Sequence, residues 1–114
     1  MVFIFALLTS GCSAQSRHTM LVHDHAPKRP DCQIEIFRNE HPARPFERIS
    51  RLDVHIERTY YVRSRFKDAL PALQKEACVS GADAIIDVQE RSSTFNMSES
   101  NIYHVTATGI RFLP

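Results

Sequence analysis

Three thiols and six imidazoles are the side chains of this 114-residue chain whose chemistry goes beyond fixed charge. Cys12, Cys32 and Cys78 lie far apart, so none belongs to the closely spaced pair that a zinc ribbon or a dithiol redox motif requires. A thiol outside such a motif has two common fates, oxidation to a disulfide or attack on an electrophile. Their contexts separate the two. Cys12 follows the small residues Thr9-Ser10-Gly11, which leave the backbone beside it open to a peptidase. Cys32 and Cys78 have no such flank and can pair, closing a loop of about 46 residues worth roughly 4 kcal/mol in the chain-entropy picture.

Five of the six imidazoles fall into two groups. His18, His23 and His25, with Asp24, sit in a polar stretch and offer nitrogen and oxygen donors to a divalent metal, although histidines in such stretches are usually solvated. His55 and His104 fall on the polar faces of two predicted strands, where they share a metal, titrate as a pair, or simply stand at the surface. Arg58, Arg63, Arg65 and Lys67 form a basic run that is either a solvated face or a contact for lipid headgroups or an acidic partner. No nucleophile elbow, phosphate-cradling glycine loop, zinc-protease histidine pair or paired-carboxylate site is present, and the chain has only three glycines. The chain is therefore read as a non-enzyme without a cofactor.

Three segments must position these groups. Val2 to Leu8 is an apolar run too short to span a bilayer, which takes about 20 helical residues, and it fits the core of a signal peptide over residues 1–11. With Thr9-Ser10-Gly11-Cys12-Ser13 it resembles the lipobox of bacterial lipoproteins, in which the cysteine is acylated and becomes the mature N-terminus. Thr9 stands where leucine is usual, and no Lys or Arg precedes the apolar run, which points to a start codon further upstream or a weak leader. Residues 12–31, with prolines at 27 and 30, no glycine and no apolar period, read as the lipidated cysteine and a flexible tether spanning roughly 24 Å as a coil. Residues 32–114 are long enough for one small domain. The 14 basic and 13 acidic side chains nearly cancel, so no global field attracts nucleic acid.

Within the domain, Ile34 and Ile36 alternate in a first strand over Cys32 to Phe37, ending at the turn Asn39-Glu40-His41-Pro42. Leu52, Val54 and Ile56 alternate in a second, where the out-of-phase Ile49 calls for a bulge near Ser50. Phe66, Leu70, Leu73 and Ala77 repeat at helical spacing, with Asp68 as the expected cap, Pro71 in the first turn and Cys78 beside the stripe. Gly81 closes that helix in the left-handed conformation, and Ala82 packs back on Ala77. Residues 59–67 fit either a loop or an early helical turn. Ala84 to Gln89 and Ile102 to Phe112 supply the remaining strands. The order is β-β-α-β-β, an α+β sandwich of one helix on a mostly antiparallel sheet.

The stretch Leu70-Pro71-Ala72-Leu73-Gln74-Lys75-Glu76-Ala77-Cys78-Val79-Ser80-Gly81-Ala82-Asp83-Ala84-Ile85-Ile86, with the closing Thr106-Ala107-Thr108-Gly109-Ile110-Arg111-Phe112, resembles the helix, Gly-Ala-Asp/Asn-Ala turn and last strand of small envelope lipoproteins. In layout these are similar to the YbjQ-like heavy-metal-binding family and to the outer-membrane sensor lipoprotein of the Rcs envelope-stress pathway. The Rcs sensor's cysteines lie around its later strands and connecting loop, where this sequence has none. In physical terms Gly81 stops the helix, Ala82 and Ala84 keep helix and strand close, and Asp83 hydrogen-bonds local backbone. The expectation is a palmitate-bearing lipoprotein anchored through Cys12 at the outer membrane facing the periplasm, binding an envelope protein or sensing envelope stress. The alternative is a metal-binding envelope lipoprotein.

Overall fold

Alternation in Leu52, Val54 and Ile56, each almost fully buried, builds one of the interior strands of the sheet. The computed structural model describes residues 13–23, 26–59, 63–94 and 100–114. The elements are β1 (Ser13–Met20), β2 (Glu35–Ile36), β3 (Phe46–Thr59), α1 (Phe66–Ser80), β4 (Ala84–Thr94) and β5 (Ser100–Phe112). The sheet order is β1-β3-β5-β4-β2, and every pairing is antiparallel except β2 with β4. One helix on a five-stranded, mostly antiparallel sheet is an α+β fold. The segment 1–11, Cys12 and His25 lie outside the described residues.

The start of the expected tether is instead a strand. Ser13 to Met20 pairs in unbroken register with Glu57 to Ser50 at the edge of the sheet. Its helix-facing positions include the polar Ser16 and His18, so no apolar alternation betrays it. Beyond it, Leu21 N–H bonds Ile49 O and the chain turns toward the C-terminal end of α1, where Lys28 N–H reaches Cys78 O.

The expected strand over Cys32 to Phe37 shrinks to two ladder residues, Glu35 and Ile36, extended by Phe37 N–H to Ile85 O. Its start is occupied by a Cys32–Cys78 disulfide with Cα atoms 5.8 Å apart, which ties it to the end of the helix. The bulge falls at Ile49, where the β3–β5 register shifts between Arg48 and Ser50. Residues 63–65 precede the helix, which starts at Phe66 behind an extended Arg65. Asp68 stands in the third helical position, not at the cap, and its carboxylate accepts the Arg65 backbone N–H at 2.7 Å. Pro71 consequently falls beyond the first turn. It removes the amide that would bond Lys67 C=O, at a point of the helix where both residues are exposed to solvent.

The buried stripe of α1 is Ala69, Leu73, Glu76, Ala77, Cys78 and Ser80, with Phe66 packed at its edge. Cys78, expected beside the stripe, is wholly buried. Gly81 has φ 90° and ψ 12°, and the bonds Gly81 N–H to Cys78 O and Ala82 N–H to Ala77 O satisfy the last carbonyls. The main core lies between α1 and the sheet: Leu52, Val54, Ile56, Leu73, Ile85, Tyr103 and Val105. A second, smaller core forms on the opposite face of the sheet, where Phe37, Phe46 and Phe112 cover Ala84, Ile86 and Ile110. Arg44 stacks over Phe112 and His41 meets Phe46 edge-on, so the loop before β3 closes this end of that face.

Candidate functional site

Beyond the small phenylalanine layer, the face of the sheet turned away from the helix is polar, and no other element among the described residues covers it. In β3, β5 and β1 the residues that alternate with the core point there: Arg51, Asp53, His55, His104, Thr106, Thr108, Gln15 and Arg17. Two open grooves of about 440 Å³ each run along it. One is lined by Gln15, Ser16, Arg17, Asp53, His55 and His104. The other is lined by Arg51, Asp87, Val88, Gln89 and the β5 residues Thr106 to Thr108.

His55 and His104 are direct cross-strand partners, with ring centroids 6.0 Å apart. His104 is already engaged, since its Nε2 lies 2.7 Å from Asp53 Oδ1, and Arg17 approaches the other oxygen of that carboxylate at 3.7 Å. The remaining histidines of the candidate metal set lie elsewhere. His18 points to the helix side, its Nδ1 2.6 Å from Glu76 Oε2, and His23 is exposed in the bend after β1. The four of these histidines that are described therefore do not converge on one site, and among the described residues no group of three or more His, Cys, Asp or Glu side chains is arranged to hold a metal ion. Strand parity explains the separation, because an even-numbered residue of β1 and an odd-numbered residue of β3 face opposite sides of the sheet.

Sequence reasoning passed over Glu76. This buried carboxylate accepts the Ser16 hydroxyl at 3.0 Å and faces His18, so one acid satisfies both polar side chains that β1 turns inward. The available signal was its position three residues after Leu73, on the buried side of the helix. Asp87 was also missed. It sits at φ 54° where the β4–β5 register shifts, and holds His41 at 2.7 Å and Arg48 at 3.5 Å. The His41 hydrogen bond keeps its carboxyl below the ordinary value, against a smaller burial effect, with the charges of His41 and Arg48 adding to the same direction. Tyr103, on the core side, is pushed up to about 12 by burial and then by the charge of Glu90, so it remains a neutral phenol.

Of the basic run, Arg58 approaches Asp68 at 3.8 Å, while Arg63, Arg65 and Lys67 are exposed. In the turn after the helix, Asp83 reaches far beyond local backbone: its carboxylate accepts Phe112 N–H at 2.9 Å and the Lys28 ammonium, while its own N–H bonds Ile110 O. Burial raises this carboxyl, but the Lys28 and Phe112 hydrogen bonds, with the charges of Lys28 and Arg111, leave it below its ordinary 3.8. A depressed folded value contributes stability that is complete above pH 3.8 and disappears as pH falls through the folded value. Asp83→Asn is accordingly expected to cost about 1 kcal/mol at pH 7, the modest figure reflecting side chains about a third exposed. The gap between the two proteins in urea unfolding should narrow as pH falls below 3.8, and a gap that stays unchanged through that fall would assign the cost to packing.

Among the described residues no helix is long and apolar enough to cross a membrane. Comparison with known proteins finds no family model, no curated protein and no solved structure that matches the chain.

Proposed function

We propose that the chain is a bacterial envelope lipoprotein, acylated on Cys12, whose domain is a non-enzymatic module that binds another envelope protein or senses envelope stress. The observation that carries this reading is the apolar run Val2 to Leu8 followed at once by Thr9-Ser10-Gly11-Cys12. The Cys32–Cys78 disulfide agrees with an oxidising compartment such as the periplasm, and an anchor in the outer membrane would leave the domain there. Binding is favoured over catalysis by the character of the uncovered face, where His104, Asp53 and Arg17 are tied to one another in a shallow groove. The resemblance of residues 70–86 to small envelope lipoproteins points the same way.

Cells fed labelled palmitate test the anchor. The parent chain should take up label and sediment with membranes, whereas Cys12→Ala should take up none and leave the membrane fraction. An unlabelled, soluble parent chain overturns the proposal.

A further inference from the structure

The two edges of the sheet are built differently. On one side the last strand is β2, only two residues long, and so short an edge offers little for another chain to pair with. On the other side stands β1, eight residues in unbroken register with β3, without proline, glycine, lysine or bulge, and with Arg17 as its one fixed charge. Among the described residues no strand lies beyond it. Nor does the described chain after β1 run back along it, since Leu21 N–H bonds Ile49 O and Lys28 N–H bonds Cys78 O at the helix C-terminus. Such an edge is a template for one more strand.

We infer that the occupant is a second copy of this chain, pairing antiparallel through β1 about a two-fold axis at Ser16. A two-fold perpendicular to the sheet keeps each face continuous, so both helices stay on one side and both polar faces on the other. It also requires opposed residues to share a face, which puts the axis at a residue of β1, and the overlap is longest with the axis at Ser16 or Arg17. Centring on Arg17 sets that guanidinium against its own copy, and centring on Gln15 shortens the overlap to Ser13 through Arg17. Centring on Ser16 overlaps Ser13 through Thr19, sets Arg17 opposite Gln15 and His18 opposite Ala14, and opposes no like charges. Asp53, 3.7 Å from Arg17 in its own chain, further offsets the two guanidinium groups near the axis. The product is one ten-stranded sheet with the two Ser13 residues about 20 Å apart. This pairing does not depend on acylation of Cys12.

Variants of the full-length chain with one added cysteine, purified, oxidised and read on non-reducing gels against the parent, test both the partner and the register. On the axis, two copies of residue 16 stand about 4.5–5.5 Å apart at Cα, within disulfide range, whereas copies of residue 14 or 18 stand about 13 Å apart. Ser16→Cys should cross-link to itself, and Ala14→Cys and His18→Cys should not exceed the parent. Ala14→Cys and His18→Cys co-expressed on distinguishable chains should cross-link to each other. Equal self-linking at all three positions, or none at residue 16, overturns the inference. Charge supplies a second test that leaves β1 unbroken. Gln15→Glu, facing the partner's Arg17 twice, should tighten the dimer about 2- to 30-fold by sedimentation in detergent, and Gln15→Lys should weaken it as much. A monomeric parent, or no response to either charge, also overturns it.

Discussion

A double variant, Cys32→Ala with Cys78→Ala, is expected to unfold with about 4 kcal/mol less free energy than the oxidised parent. The bridge closes a 46-residue loop that contains β2, β3 and most of α1, so it restricts the unfolded chain over the larger part of the domain. In the folded state it holds the start of the β2 segment to the end of α1, beside the Lys28 N–H to Cys78 O bond. Losing about 4 kcal/mol from a domain this small leaves little margin, since such domains total about 5–15 kcal/mol. Urea unfolding of the parent with and without reductant, alongside the double variant, checks the effect. Reduced parent and double variant should unfold together, well before the oxidised parent. A loss below about 1 kcal/mol would mean that the Lys28–Asp83 pair and the phenylalanine layer hold this segment without the bridge.

Gly109→Val is expected to be nearly as damaging, and Gly109→Ala to cost about 1–3 kcal/mol. Gly109 lies opposite Ser50 in the ladder and under the turn that follows α1. A Cβ placed there would meet Ser50 Oγ at 2.2 Å and the Ala82 methyl at 3.2 Å. Ser50 has nowhere to retreat, because it is fully buried and its hydroxyl shares a 2.8 Å hydrogen bond with Ser80. Rotating it away would leave a buried hydroxyl unpaired. The contact sets how closely β5 approaches the end of the helix, so the extra methyls of valine push the elements apart as well. A double-mutant cycle isolates the cause. Ser80 keeps its bond to Ala77 O when Ser50 is truncated, so Gly109→Ala should cost distinctly less in a Ser50→Ala background. Equal costs in both backgrounds would show that the Ser50 hydroxyl is not the obstacle.

The parts of this fold that were legible in the sequence are those whose physics is local. Leu52, Val54 and Ile56 announce a strand by spacing, Ile49 announces the bulge by breaking it, and Gly81 announces the helix end because few residues adopt a positive φ. Two cysteines with no other employment announced the bridge. What stayed hidden depends on partners distant in sequence. β1 looks like a tether because the core-facing Ser16 and His18 are polar, and they are acceptable there only because Glu76 arrives from some 60 residues away. Pro71 was assigned to the first turn because Asp68 looked like a cap, when the carboxylate serves instead as acceptor for Arg65 N–H. β4 runs on to Thr94 through Glu-Arg-Ser-Ser-Thr, polar residues that become strand by pairing with β5 rather than by burial. The candidate site shows the same division. His55, Asp53 and His104 could be placed on neighbouring polar faces by parity alone, whereas the Arg17 that joins Asp53 required knowing that β1 is in the sheet.

The absence of slack between Cys12 and the folded domain carries a mechanical consequence. Ser13 already pairs with Glu57, so tension on the preceding residue enters the sheet directly, along the axis of β1. The bonds to β3 lie across that axis and would share such a load in shear, yielding together instead of peeling one after another. Glu76, gripping Ser16 and His18, passes part of the load to the helix. If Cys12 carries the lipid proposed above, a domain attached in this way would resist extraction at its point of attachment, and a pull strong enough to free β1 would strip Ser16 and His18 from a buried acid.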